Sequence, residues 1–284
     1  MKALITGASG QDGYYLTQIL ASKGYEVVSF EKDIRNKYYI GDYIEHYKPD
    51  ELYNLAAMVR GTEANPSDAF WINSLGTVNV LEAVRTIDPT IRVCHASSSE
   101  IFDLVNVTAQ DESTPIKPRN VYGMTKAAAH LAAVNYREVY GLNVCCAIMF
   151  NHESPLRTSE YVSKRIVNGV HAAKNDEKLL IGNLDIYRDW GHARDYMNAM
   201  WLMNQQPPDD YVVATGETHS VREFVLKAFS RAGMDWEEHV VIDENYSRHN
   251  DVHWLCGNPT KLERIGWRRE YEFDDIVDEL MAAA

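Results

Sequence analysis

A doubly wound parallel α/β sheet with a smaller second α/β lobe is the fold class this sequence predicts, and three observations predict it. Short apolar runs alternate with amphipathic helical stretches from Lys2 to Phe150, the pattern of a parallel sheet covered on both faces. The first apolar run breaks directly into a glycine-rich turn that opens a helix. Beyond Phe150 the alternation loosens into separate helices and polar loops, which marks a second lobe.

Lys2–Thr6 is a short buried strand in pattern, and Tyr15–Lys23 follows with Leu16, Ile19 and Leu20 at helical spacing. Glu26–Phe30 reads as a strand, Tyr38–Tyr47 as a helix and Glu51–Leu55 as a third strand. Trp71, Leu75, Val78, Leu81 and Val84 give Ala69–Thr86 a helical period. Arg92–Ala96 and Asn143–Met149 are strands flanking the long helix Tyr122–Val139. Helices are expected at Val162–Lys174, Tyr196–Met203, Val221–Ala232 and Phe273–Met281. The organisation expected is a dinucleotide-binding lobe over 1–153 and 188–215 and a smaller lobe over 154–187 and 216–284.

Bulk properties exclude several classes. A chain of 284 residues buries enough surface to need no staples. A net charge of −13 repels a phosphate backbone, so no nucleic-acid partner is expected. Cys94, Cys145, Cys146 and Cys256 lack metal-type spacing and read as reduced core residues. No apolar run approaches the ~20 residues of a membrane span, and a strand pattern begins at once after Met1, so a cytoplasmic protein without a signal peptide or membrane partner is expected. His249 and His253 stand four apart, but no other ligands cluster with them and no metal is expected.

Gly7-Ala8-Ser9-Gly10-Gln11-Asp12-Gly13 lies between a strand and a helix. Glycines there let a pyrophosphate approach the helix N-terminus, which is the Rossmann-type arrangement for dinucleotides. Gly7, Ser9, Gly10, Gln11, Asp12 and Gly13 are the candidate cradle. Glu31 closes the second strand, where a carboxylate accepts from ribose hydroxyls and favours NAD, while nearby Lys32 and Arg35 favour NADP; the choice stays open. Tyr122 and Lys126 are an i,i+4 pair on one helix face, so an ammonium can stabilise a phenolate acting as general base. Ser97-Ser98-Ser99-Glu100 sits at the carboxyl end of the fourth strand, where open α/β sheets place ligands.

These features together resemble the extended short-chain dehydrogenase/reductase family, and longer stretches are similar to its branch of 4,6-dehydratases acting on GDP-mannose. The stretches are His95–Glu100, Phe150–Pro155, Gly182–Asp185, Arg188–Ala193, Ala214–Phe224 and Gly257–Lys261 with Gly266-Trp267. The resemblance implies oxidation of the hexose at carbon 4, loss of water across carbons 5 and 6, and reduction at carbon 6 by the same tightly bound, recycled NADP or NAD. It implies Tyr122 as base with Ser98 and Lys126, and Glu100 as the carboxylate that takes the carbon 5 proton and helps the 6-hydroxyl leave. It places Leu55, Ala56, Ala57 and His152 at the cofactor, and Asn151, Lys164, Arg165, Asn183, Arg188, Arg248 and Asp251 at the nucleotide sugar. A homodimer through the helices Ala69–Thr86 and Tyr122–Val139 is also implied.

Two passages depart from that branch. After the second strand an arginine-rich segment is missing, and Glu31–Asn36 leads straight into a helix, as in dTDP-rhamnose-forming reductases with Asp33 and Ile34 beside the adenine; a tetramer is therefore doubtful. Met58-Val59-Arg60-Gly61 replaces a glutamine, serine and histidine, which makes Arg60 a candidate contact to a phosphate or an altered sugar, and leaves room for a related GDP-hexose or GDP-heptose. A reductase or epimerase on the same scaffold is the competing enzyme, and a non-catalytic cofactor sensor is the reading from another class.

Overall fold

The structure, a computed structural model, describes residues 1–102, 109–246 and 253–283. Arg248, Asp251 and His249 lie outside the described residues. Strand β1 (Lys2–Thr6) leads into helix α1 (Gln11–Ser22), then β2 (Glu26–Phe30), α2 (Lys37–Tyr47) and β3 (Glu51–Asn54). A loop follows, then α3 (Pro66–Ala69), a π-helical turn (Phe70–Leu75) and α4 (Gly76–Ile87). Next come β4 (Arg92–Ser98) with a 3-10 turn (Ser99–Ile101), α5 (Val121–Tyr140), β5 (Val144–Met149) and β6 (Asn151–Glu153).

The remaining elements are α6 (Val162–Ala173), β7 (Leu179–Ile181), β8 (Tyr187–Arg188), β9 (Trp190–His192) and α7 (Ala193–Asn204). They continue with β10 (Asp210–Val213), β11 (His219–Ser220), α8 (Val221–Arg231), α9 (Trp236–His239) and β12 (Val240–Ile242). Strand β13 (Trp254–Leu255), α10 (Thr260–Arg264) and α11 (Phe273–Ala282) complete the chain.

The main sheet has the order β2-β1-β3-β4-β5-β10 and all its neighbours run parallel. Successive residues point to opposite faces, so Leu4 joins Ile40, Ile44, Val80 and Val84 beneath α2 and α4, while Ile5 joins Leu16, Leu20, Met197 and Met200 beneath α1 and α7. Every residue of β5 is buried, which explains an unbroken apolar run. The strand order reverses between β1 and β3, and ligands of open α/β sheets bind at the carboxyl ends beside that reversal. Among the described residues no strand lies outside β2, because α2 returns directly to β3. The short passage after β2 is thus a fold-level difference from the usual dinucleotide-binding order, in which a further strand flanks it.

A second apolar core is built from α6, α8 and α11, with Trp190, Phe224 and Phe273 at its centre. Its strands are two or three residues long, in the small sheets β11-β8-β13 and β12-β7. Asp189 ties the two cores together: its buried carboxylate accepts from Thr215 N and Oγ1, Gly216 N and Gly257 N at 2.7–3.2 Å. Burial pushes its pKa up to about 6 despite those bonds.

All four cysteines are free and buried, and burial pushes the Cys94 and Cys146 thiols well above their ordinary value. Among the described residues no helix is long and apolar enough to cross a membrane.

Candidate active site

The site begins at the turn between β1 and α1. Gly7 has φ +72°, a left-handed conformation that favours glycine, and a Cβ there would stand 2.8 Å from Ala56 N. Leu55 and Ala56 therefore form the floor on which the turn rests. A Cβ on Gly13 would stand 2.4 Å from Ala8 Cα, so α1 can press on the turn only without a side chain. Gly10 caps α1 with extended backbone and no side-chain hydrogen bond, which leaves the first amide N–H groups of the helix for a ligand. Beside the turn, Gly7, Ala8, Ser9, Ser29, Phe30 and Glu31 line an open cavity of about 440 Å³. These donors, the close-packed glycines and an acidic strand end fit a dinucleotide.

Asp33 and Ile34 follow the end of β2. Asp33 holds Arg35 through both carboxylate oxygens at 2.7–3.0 Å, and Arg35 also reaches Asp68 at 3.5 Å. The Ile34 side chain is buried against α4, where a Cβ on Gly76 would stand 2.9 Å from it, and its carbonyl accepts from Asn79 Nδ2 at 3.0 Å.

At the sheet's carboxyl edge, β4 ends with Ser98 and turns at Glu100, while α5 carries Tyr122 in its first turn. Asn120 connects them: its Oδ1 accepts from Gly123 N at 2.7 Å and caps α5, and its Nδ2 donates to Glu100 Oε2 at 2.9 Å. A Cβ on Gly123 would stand 2.4 Å from the Glu100 carbonyl oxygen, so the first turn of α5 lies directly against the Glu100 backbone. Ser98 Oγ accepts from Glu100 N at 3.2 Å, and the Ser98 hydroxyl is near enough to the Tyr122 phenol to favour its ionised form. Burial raises the Tyr122 phenol above its ordinary value; Ser98 opposes this, and Tyr161, Glu100 and Asp12 add to the rise. Lys126 is buried and its ammonium donates to the Ala96 carbonyl. Burial brings Lys126 down to about 8, with Asp12 and Cys146 opposing. The ammonium is thus held at the Ala96 carbonyl near the end of β4, on the same helix that carries Tyr122.

His152 bridges the two halves of the site. Its Nδ1 lies 2.8 Å from Phe150 O and its Nε2 3.1 Å from Asp12 Oδ1. Burial alone would raise the Asp12 carboxyl, but His152 and Arg157 bring it down to about 2. Gln11 accepts from Ser154 Oγ at 2.8 Å, so the glycine turn is also fastened to the stretch 151–155. Ala57 follows Ala56 at the start of the next loop. There Asn73, on the π-helical turn, accepts from Met58 N at 2.7 Å and donates to Met58 O and Thr125 Oγ1, locking that loop to α5.

The sugar-binding candidates stand on several separate elements. Asn151 is half-buried at the start of β6, paired with Trp190 of β9. Lys164 and Arg165 are half-buried on the first turn of α6, with Arg165 stacked over Tyr246 at 5.0 Å. Asn183 is exposed and accepts from Asp185 N at 2.8 Å, and Arg188 is half-buried with one guanidinium nitrogen donating to Tyr187 O. Arg60 lies over the Tyr161 ring at 4.1 Å.

Asn73, Asn120, Gly123, Arg157 and Tyr161 are site residues that pattern reading missed. An asparagine just before a helical period is a recognisable cap signal, so Asn120 was within reach; the others act through contacts distant in sequence. Among the described residues one trio, His130, Cys146 and Asp210, brings metal-ligand atoms within 4.8 Å of one another. Arg137 already pairs with both oxygens of Asp210 at 2.8 and 3.2 Å, so that carboxylate has its cation.

A glycine cradle, a buried Tyr–Lys pair and a strand-end serine define a nicotinamide-dependent enzyme of the short-chain dehydrogenase/reductase class. A family model described as GDP-mannose 4,6 dehydratase matches residues 29–280, and the chain belongs to that family. GDP-mannose 4,6 dehydratase 1 of Arabidopsis thaliana is 40% identical over 97% of this chain and 87% of its own length. The Homo sapiens GDP-mannose 4,6 dehydratase is 37% identical over 99% and 90%. The Arabidopsis alignment runs over 315 positions against a chain of 284, so the relative carries insertions that this chain lacks. In fold, the chain is similar to a UDP-glucose 4-epimerase of Thermus thermophilus in complex with NAD (TM-score 0.89, 22% identity, 100% and 98% covered). It is equally similar to RMD from Pseudomonas aeruginosa complexed with NADPH (TM-score 0.89, 21% identity, 99% and 98% covered).

Proposed function

We propose that this chain is a nucleotide-sugar 4,6-dehydratase that converts GDP-mannose to GDP-4-keto-6-deoxymannose. The observation that carries the reading is Glu100, held by Asn120 on the same edge as Ser98 and Tyr122. Ser98 and Tyr122 take the proton of the carbon 4 hydroxyl as that carbon is oxidised. The resulting ketone acidifies the carbon 5 proton, which Glu100 removes and then delivers to the departing 6-hydroxyl, releasing water. The proton kept on Tyr122 returns to carbon 5 as carbon 6 is reduced, so protons balance within the site. When bound, the nicotinamide supplies the reversible hydride acceptor that oxidation and reduction both require. Neither a reductase nor an epimerase needs the Glu100 carboxylate.

Gly7, Ser9, Gly10, Gln11, Asp12, Gly13 and the floor at 55–57 hold the dinucleotide in this reading, with His152 fastened to Asp12. NAD is the preferred form: Glu31 lines the cavity beside the turn, and the nearby Arg35 is occupied by Asp33 and Asp68. The smaller lobe, 154–187 and 216–284, presents Lys164, Arg165 and Asn183 to the diphosphate and nucleoside, and Arg188 and Arg60 face them from the larger lobe. Exposed apolar side chains on the π-helical turn and α5 support a homodimer.

The test is to incubate the protein with GDP-mannose and NAD or NADP and follow products by mass spectrometry. Loss of one water without net cofactor reduction is expected. Stoichiometric cofactor turnover would overturn the dehydratase in favour of a reductase, and a failure to bind NAD more tightly than NADP would overturn the cofactor assignment.

A further inference from the structure

Tyr161 stands where the loop after β3 meets the N-terminus of α6, and two guanidinium groups lie over its ring. Arg157 Cζ is 3.8 Å from the ring centroid and Arg60 Cζ is 4.1 Å from it. Both are distances of a guanidinium engaged with an aromatic face, so the one ring is shared by the two arginines.

The two arginines differ in what else they hold. Arg157 donates through Nε to Glu153 at 3.0 Å and through a terminal nitrogen to His152 O at 2.7 Å, so it is fixed to the β6 strand. Glu153 is in turn fixed by Ser163 Oγ at 2.6 Å. Arg60 makes no hydrogen bond among the described residues; Glu160 lies 3.7 Å from its Nε, beyond hydrogen-bond length, and both side chains are well exposed. Stacking engages the flat face of a guanidinium and leaves its edge of N–H donors unspent. The loop carrying Arg60 is itself anchored to α5 through Asn73, one turn from Tyr122. The Tyr161 phenol is also close enough to Tyr122 to raise its pKa.

We propose that Tyr161 is a positioning residue that holds the Arg60 guanidinium at the sugar end of the site, and that Arg60 thereby reads hydroxyl or phosphate oxygens of the nucleotide sugar. Arg157 fixes the ring, the ring fixes Arg60, and the free donor edge of Arg60 is the part that meets substrate. A bare arginine on an exposed loop would lose side-chain freedom on binding; one already stacked loses less. The inference rests on the dehydratase reading for the identity of the substrate.

The experiment is a double-mutant cycle on the cofactor-loaded protein with GDP-mannose as substrate. Arg60→Ala and Tyr161→Leu are each expected to raise KM roughly tenfold, the worth of one well-placed charge-assisted contact. The double variant is expected to match either single one, because both remove the same contact. Tyr161→Phe, which keeps the ring, restores KM to within about twofold. Tm and cofactor affinity stay at their wild-type values throughout, which a purely structural clamp would not allow. An unchanged KM in Arg60→Ala, fully multiplicative effects in the double variant, or a Tyr161→Phe variant as weak as Tyr161→Leu would each overturn the proposal. Absence of turnover in the wild type would instead overturn the dehydratase reading, so the two failures are distinguishable.

Discussion

Burial acts on Tyr122 and Lys126 in opposite directions, raising the phenol and lowering the ammonium to about 8. Catalysis by Tyr122 therefore needs every nearby positive charge, and kcat/KM is expected to fall above about pH 8 as Lys126 loses its proton. The same shift predicts a stability effect. A lysine depressed from 10.5 carries its burial penalty at all pH values below about 8 and sheds it as pH rises towards 10.5. Lys126→Met should therefore melt above the wild type at pH 7, by a margin that narrows above pH 8, while losing activity. A variant that melts below the wild type at pH 7 would contradict that account. Glu100→Gln is expected to lower dehydration by at least about a hundredfold, as loss of a general acid/base does, with dinucleotide affinity intact. Asn120→Ala should cost less in rate than Glu100→Gln but about 1 kcal/mol in stability, because it removes a helix cap as well as the Glu100 partner; stopped-flow rates and thermal melts separate the two contributions. Tyr122, Lys126 and Glu100 were legible as candidates because their spacing and their position at a strand or helix end single them out. Tyr161 and Asn73 were not, since a tyrosine or an asparagine in a loop has no pattern until its distant partners are known.

The first turn of α5 is held in place by what is missing from it. A methyl group on Gly123 would overlap the Glu100 carbonyl oxygen at 2.4 Å, and that oxygen is backbone and cannot swing aside. Gly123→Ala must push α5 away from β4, separating Tyr122 from Ser98 and Glu100 together. The expected result is a loss of about 1–3 kcal/mol in stability, as for other overpacked sites, with a kcat loss far larger than any change in dinucleotide affinity. Full activity in Gly123→Ala would show that this close approach does not set the site. Element by element, the long periodic helices and buried strands were readable, because amphipathic period and unbroken apolar runs report burial directly. The helix α1 begins at Gln11, earlier than Tyr15, because the polar turn at 11–13 carries no apolar signal. Strands β6, β8, β9 and β13, two or three residues each, are too short to show any period, and their pairing is decided by tertiary partners such as Asp189.

At the scale of the whole molecule the parallel sheet followed from the strand–helix alternation, whereas the missing strand beyond β2 showed in the sequence only as a shortened passage. On α5, Met124 and Leu131 are 42% and 53% exposed, one on each of two successive turns of the same face, with Ala128 between them. Trp71 and Leu75, i,i+4 on the adjoining helical stretch, are 50% and 42% exposed. Large apolar side chains gathered on two neighbouring helices mark an association surface, and a two-fold axis lets one such patch cover itself. The opposite face of α5 carries buried Lys126 and packs on β4 and β5, so the surface can be altered without entering the catalytic edge. Leu131→Arg places a charge in the middle of the patch and is expected to shift sedimentation from about twice the 32.4 kDa chain mass to a single chain. Because the variant keeps the Tyr122–Ser98–Glu100 arrangement within one chain, its kcat with saturating substrate should stay within about twofold of the wild type. A wild-type protein that sediments as a monomer at micromolar concentration would remove the dimer. A Leu131→Arg monomer that has lost all activity would show that the partner chain completes the site.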